Sequence, residues 1–67
     1  MGPAERACKE LGGKIIDLYA AEGGKASGAD FWYWGNAKAE ADNAFGAMWI
    51  EFNELCDAAK RERAESS

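Results

Sequence analysis

The chain has 67 residues, a net charge of −4 and no histidine, so its length limits it to a single domain covering residues 1–67. An acidic chain lacks the basic surface that direct binding to nucleic acid requires. Without histidine, and with only two cysteines, it has neither the usual zinc ligands nor the usual general base of catalysis. We therefore expect a non-catalytic protein that uses no metal and no cofactor.

The composition predicts an all-α fold. Valine and threonine are absent, three isoleucines are the only β-branched residues, and alanine occurs 14 times. Strands favour β-branched residues, whereas helices favour alanine, leucine, glutamate and lysine. No apolar run approaches the roughly 20 residues of a membrane span, and Met1 leads into charged residues rather than an apolar signal segment. We expect a cytoplasmic chain with no membrane contact.

The first predicted helix covers about residues 3–22. Pro3 suits the first helical position, and Gly23-Gly24 is a typical C-terminal stop. Between them, apolar residues recur at alternating steps of four and three, which is a heptad pattern. They are Ala4, Cys8, Leu11, Ile15 and Leu18, with Tyr19 widening the stripe.

Two adjacent glycines, Gly12-Gly13, interrupt this helical pattern. Each costs about 1 kcal/mol relative to alanine in a helix interior. They indicate either a kink or a place where another backbone comes close. We predict the second, with one of the pair facing the helix that carries Gly46.

A linker of residues 23–30 follows, and the aromatic block Phe31–Trp34 comes directly after it. Ser27 and Asp30 have the spacing of a capping box, which predicts a short helical turn carrying the aromatic block. Gly35-Asn36 is a common helix breaker, so we predict that the turn ends there rather than continuing into the next helix.

The last predicted helix covers about residues 37–63, with residues 64–67 as a frayed tail. Its apolar residues again step by four and three, and a second stripe of Trp49 and Cys56 widens the apolar face. Such a width is typical of a helix inside a bundle. The main stripe contains Ala41, Phe45, Met48, Phe52, Leu55 and Ala59.

Two long amphipathic helices with a short connection predict an αα-hairpin. A lone hairpin cannot cover apolar faces this wide. A second copy could cover them by completing a four-helix bundle, so we expect a homodimer whose layout is similar to that of known hairpin dimers.

The hairpin also sets an expectation for the two cysteines. A turn centred near residue 29 or 30 places Cys8 opposite about residue 51, which leaves Cys56 offset by about 7 Å along the helix. A disulfide needs the two Cα atoms within about 7 Å in total. We therefore favour two buried free cysteines. A bond would require the aromatic block to belong to a longer connection that shifts the register.

The aromatic block is the leading candidate site. Four successive side chains sweep about 300° around a helix, so one packed face cannot bury them all. Phe31 and Trp34, three residues apart, are expected to pack against the first helix near Leu18 and Tyr19. Trp32 and Tyr33 are expected to be exposed and to anchor a partner, because tryptophan and tyrosine are enriched at binding hot spots. Alternatively, the whole block covers one end of the core.

These patterns support three hypotheses of function. The first is an interaction module that binds itself or a protein partner through Trp32, Tyr33, Trp34 and Trp49. The second is an acidic mimic that binds a basic, nucleic-acid-binding protein. Its carboxylates would be Glu51, Glu54 and Asp57, which otherwise form a solvated face.

The third hypothesis is a natural or designed binder of an apolar small molecule. Ligand pockets are mostly apolar with a few polar groups, and the aromatic residues of the last two segments could line one. The candidate lining residues are Trp32, Trp34, Phe45, Met48 and Trp49.

Overall fold

A computed structural model describes residues 2–25 and 28–66 of the chain. Within these ranges it contains three α-helices and no strand: α1 over Pro3–Ala21, α2 over Gly28–Ala41 and α3 over Asn43–Ser66. The all-α prediction is confirmed. None of the three described helices combines the length and apolar character needed to cross a membrane.

Helix α1 agrees with its predicted bounds to within one residue. Pro3 occupies its first turn. At the other end Gly23 adopts a positive φ of 85°, a left-handed conformation that glycine adopts without steric cost. The N–H of Gly24 donates to the carbonyl of Tyr19 at 2.9 Å, so the glycine pair closes the helix as predicted.

Helix α2 is continuous through Gly35 and Asn36, so the predicted helix break at these residues is wrong. Gly35 is buried against Trp49, and a Cβ atom at this position would overlap the six-membered ring of that indole. The side-chain oxygen of Asn36 accepts a hydrogen bond from Trp49 Nε1 at 2.9 Å. Both residues therefore form contacts with α3 and do not end the helix.

The break lies instead at Asp42, between α2 and α3. The side-chain Oδ1 of Asp42 accepts a hydrogen bond from the backbone N–H of Phe45 at 3.1 Å, which is the interaction of a helix N-cap. The last helix thus begins at Asn43 rather than at residue 37. The four-residue step from Ala41 to Phe45 continues the apolar period across this break and hides it in the sequence.

Two further boundaries differ from the predicted ones. Residues 28–30, assigned to the linker, form the first turn of α2. The segment predicted to fray, residues 64–67, is helical up to Ser66. The predicted capping residue Ser27 lies outside the described residues.

Helices α1 and α3 pack antiparallel. Near the start of α1, the carboxylate of Glu62 accepts hydrogen bonds from the backbone N–H groups of Ala4 and Glu5, at 3.1 and 3.3 Å. Further along, Gly12 faces the ring of Phe52. A carboxylate beside free N–H groups at a helix N-terminus is favourable, so α3 caps α1 through a tertiary contact.

Cys8 and Cys56 form a disulfide bond between these helices, with 5.3 Å between their Cα atoms. The prediction of two free cysteines is wrong, because the connection between α1 and α3 contains a whole helix instead of a short turn. The longer connection shifts the register and brings Cys8 opposite Cys56 instead of residue 51.

Helix α2 packs on α3 as well, again antiparallel. Gly46 lies beside the backbone carbonyl of Ala39, and Trp49 lies against Gly35. The apolar face of α3 is therefore covered from two sides within one chain. The predicted hairpin of two helices is replaced by three helices in which α3 contacts both of the others.

The core combines residues from all three helices. Ile15 is fully buried at 0% exposure, and the rings of Phe45, Trp49 and Phe52 surround it. In α1, Tyr19 is buried whereas Leu18 is 40% exposed. The buried stripe of α1 is thus rotated from the predicted heptad seam toward Tyr19, whose ring contacts α2. Partly buried residues complete the core: Cys8, Leu11, Phe31, Trp34, Ala39, Met48 and Cys56.

The glycine pair of α1 has one buried and one exposed member. A Cβ atom on Gly12 would lie 3.0 Å from Phe52, whereas Gly13 has nothing within 4 Å. The prediction that one glycine of the pair faces the helix carrying Gly46 is confirmed. Gly46 itself lies against Ala39 of α2, so it takes part in a different helix contact.

These contacts predict opposite effects for two alanine substitutions. Gly13→Ala should stabilise the fold by up to about 1 kcal/mol, because it adds helix propensity on an open surface. Gly35→Ala should destabilise it by about 1–3 kcal/mol, because the new methyl group overpacks against Trp49. Urea unfolding of both variants measures the difference. A stabilised Gly35→Ala variant would contradict the close packing at Trp49.

Candidate functional site

Two members of the aromatic block are structural. The Phe31 ring lies 5.5 Å from the ring of Tyr19 and 5.5 Å from that of Trp49, measured between centroids. Trp34 lies 5.0 Å from Tyr19 and 5.3 Å from Phe45. The prediction that Phe31 and Trp34 pack against the first helix is confirmed at Tyr19, whereas Leu18, which was predicted to lie beside it in this contact, is 40% exposed. These rings bridge α1 and α2, whose backbones make few direct contacts.

The other two members face outward, as the helical spacing predicted. Tyr33 is 80% exposed and Trp32 is 43% exposed. The Trp32 indole is nevertheless held in place: it stacks on Phe52 at 5.7 Å with an interplanar angle of 18°, and its ring lies 5.4 Å from that of Trp49. We call the surface formed by Trp32 and Tyr33 the aromatic ridge.

The remaining predicted anchors, Trp34 and Trp49, lie inward. Trp49 is only 4% exposed, and its Nε1 donates to Asn36 at 2.9 Å. Trp34 is half-buried and its Nε1 donates to Glu22 Oε1 at 3.2 Å. A partner that approaches the ridge would therefore reach Trp32 and Tyr33 first, while Trp49 lies beneath Trp32.

A small polar network ties the end of α1 to α2. Lys38 Nζ lies 2.8 Å from Glu22 Oε2 and 5.5 Å from the centre of the Phe45 ring. Hydrogen bonds from Lys38 and then from Trp34 lower the pKa of Glu22, and the same contact with Glu22 raises the pKa of Lys38. Both charges are solvent-accessible, where such pairs contribute little stability. We regard the network as a structural connection between helices.

A recess lies on the outer surface of α2, and we call it the α2 recess. Its volume is about 260 Å³. Tyr33, Asn36, Ala37 and Glu40 line it, at spacings that place them on one face of a helix. The predicted helix break at Gly35-Asn36 concealed this face in the sequence. A continuous helix over residues 28–41 would have indicated it.

The predicted acidic residues Glu51, Glu54 and Asp57 are all exposed on α3. Spaced by three residues, they turn by about 60° at each step, so they spread over about 120° of the helix surface. They do not converge on one point. Among residues 2–25 and 28–66, no group of three or more Cys, Asp and Glu side chains is placed to hold a metal ion.

The aromatic side chains predicted to line a pocket are packed against one another. Ring centroids lie 5.3 Å apart for Trp34 and Phe45, 5.8 Å for Phe45 and Trp49, and 5.4 Å for Trp32 and Trp49. At these separations the rings fill the core. The α2 recess lies on another face and includes none of these residues.

Comparison of this chain with protein-family models, with curated proteins and with solved structures finds no match. The site must therefore be interpreted from its own geometry. That geometry comprises an aromatic ridge held by core rings, an adjoining recess, and exposed carboxylates on the neighbouring helix.

Proposed function

We propose that this chain is a non-catalytic helical interaction module that binds a protein surface through the aromatic ridge. The observation that carries the proposal is the environment of Trp32. Its indole remains 43% exposed although Phe52 and Trp49 hold it from below. Tyr33 stands beside it and is almost fully exposed.

The physical chemistry of association favours such a surface. Covering exposed apolar area contributes about 25 cal/mol per Å², and large aromatic side chains supply much of that area at binding hot spots. Immobilising a free side chain costs about 0.5–1.5 kcal/mol. Because packing already restricts the Trp32 ring, less of that cost remains when a partner binds.

The partner can be a second copy of the chain or a different protein. The sequence predicts a dimer because a hairpin of two helices would leave the broad apolar face of the last helix open. Helices α1 and α2 cover that face, and in the proposed mode a second copy docks on the ridge instead. The solution mass distinguishes these cases, because only self-association raises it.

Removing the ridge side chains should weaken association and leave the fold in place. Trp32→Ala should weaken binding by about 2 kcal/mol or more, the scale of a hot-spot residue. Tyr33→Ala should change the free energy of unfolding by less than about 0.5 kcal/mol, because the side chain lies on the surface. Trp34→Ala should instead destabilise the fold, since its ring packs on Tyr19 and Phe45.

Two measurements test this. Sedimentation equilibrium reports self-association, and a photo-crosslinking amino acid at position 33 traps a bound protein whose Kd is then measured for each variant. The matched control is Ile16→Ala, an exposed apolar residue on α1. A monomer that gives no more cross-linking at position 33 than at position 16 would contradict the proposal. So would unfolding of the Trp32→Ala variant.

A second candidate function is binding to a basic protein surface. It is favoured by the exposure of Glu51, Glu54 and Asp57 in a region that contains no basic residue between Ala39 and Ala59. Charge-driven docking weakens as salt screens it, whereas burial of the ridge is much less sensitive to salt. A salt titration of the measured Kd therefore separates the two candidates.

A further inference from the structure

We infer that the α2 recess receives a basic side chain, arginine in preference to lysine, from the protein that docks on the aromatic ridge. The inference rests on the proposed function and names the chemistry of the partner. Tyr33 belongs to both the ridge and the recess, so a partner seated on the ridge lies next to the recess.

The spacing of the residues that line the recess suits a long side chain. Tyr33 and Glu40 stand at its two ends, about 10 Å apart along the helix axis. Ala37 lies between them on the same helix face, and its small side chain leaves the space open. An aliphatic stem can lie over the alanine methyl group, with a polar head at the carboxylate of Glu40.

The amide of Asn36 forms a fixed wall of the recess. Its oxygen accepts the hydrogen bond from the buried indole of Trp49 at 2.9 Å, which sets the orientation of the amide group. The recess therefore contains three kinds of group: an aromatic ring, an oriented amide and a carboxylate.

These groups discriminate between ligand classes. An anion would be repelled by Glu40. A purely apolar group would remove the carboxylate and amide from water without replacing their hydrogen bonds, which is unfavourable. A cation is attracted by the carboxylate of Glu40. Arginine fits best, because its planar guanidinium can pair with the carboxylate of Glu40 through two hydrogen bonds while its aliphatic stem extends toward Tyr33.

The surrounding charges favour the same ligand. Lys38, the basic residue closest in sequence to the recess, is paired with Glu22 across the contact between α1 and α2. Between Ala39 and Ala59 the chain has five carboxylates and no basic residue. A cationic segment therefore meets no repulsive charge from this stretch as it approaches.

The test uses N-acetyl-arginine amide as the probe and its neutral isostere N-acetyl-citrulline amide as the control, added to the full ¹⁵N-labelled chain. We expect concentration-dependent shifts of the backbone amide signals of residues 33–40 with the arginine probe and none with the citrulline probe. Glu40→Gln should weaken the probe affinity by about threefold or more, the scale of one exposed ion pair.

Glu10→Gln, which removes an exposed carboxylate on α1, is the matched control and should leave the probe affinity unchanged. Equal shifts with citrulline would overturn the inference, as would an equal loss of affinity in Glu10→Gln, which indicates attraction by net charge alone. Absence of any shift would also overturn it. If no shift occurs but Trp32→Ala still weakens binding to a partner protein, the inference about the recess fails and the proposed function is still supported.

Discussion

Reduction of the Cys8–Cys56 disulfide is expected to lower the free energy of unfolding by about 4 kcal/mol. The bond joins residues 48 positions apart, and closing a loop of that length removes about this much conformational entropy from the unfolded chain. The effect is large relative to total stability, because a domain of this size buries only about 60% of its unfolded surface. The reduced chain should be close to its unfolding threshold.

Urea unfolding with and without dithiothreitol measures this difference. The double variant Cys8→Ala/Cys56→Ala is the matched control: it should be as unstable as the reduced chain and should not respond to the reductant. A reductant that lowers the stability of the double variant too would show that the effect is not due to this bond. Equal stability of the oxidised and reduced chains would refute the structural role of the disulfide.

The second large effect is expected for Phe52→Ala, which should destabilise the fold by about 3–5 kcal/mol. Phe52 lies in the buried cluster, fills the space left by Gly12 and supports the exposed indole of Trp32. Its removal leaves a cavity at the point where the core and the aromatic ridge meet. The variant should therefore also loosen Trp32.

Thermal unfolding gives the stability change, and tryptophan fluorescence reports the environment of the indoles. Ile50→Ala provides the control, because Ile50 is on the same helix but exposed. Its stability should stay within about 0.5 kcal/mol of the original chain. A Phe52→Ala variant with an unchanged melting temperature would contradict the position of Phe52 in the core.

Composition and short-range spacing predicted the features of the fold that are set within a single helix. The missing β-branched residues predicted an all-helical chain, and Pro3 and Gly23 predicted the ends of α1. The spacing of three residues between Phe31 and Trp34 predicted their shared inward face. Helical geometry fixes such relations within a few residues, whatever the rest of the chain does.

Features set by contacts between helices were not predictable in this way. Gly35 matches a helix breaker in sequence, but its role is to admit the ring of Trp49. Asp42 caps α3 at a position where the apolar period runs on without interruption. Because the helix break was predicted at Gly35 instead of Asp42, α2 was not predicted as a helix. The residue predicted to lie opposite Cys8 was therefore wrong by five positions, 51 instead of 56.

The candidate site, like the fold, was predictable where it depends on the geometry of one helix and not where it depends on contacts between helices. The outward position of Trp32 and Tyr33 followed from the helical period. The α2 recess could not be found, because it exists only when the helix continues from Tyr33 to Glu40. Trp49 was correctly placed on the apolar side of its helix, but the hydrogen bond to Asn36 that fixes it depends on tertiary packing.

The pairing of α1 with α3 also determines how the molecule responds to mechanical force. Tension applied to the two ends enters close to the contact of Glu62 with Ala4 and reaches the bond between Cys8 and Cys56. The covalent bond then carries the load, so the segment between the two cysteines, including the aromatic ridge, is shielded from extension. The ridge can therefore remain intact under a pull that separates the outer turns of the helices.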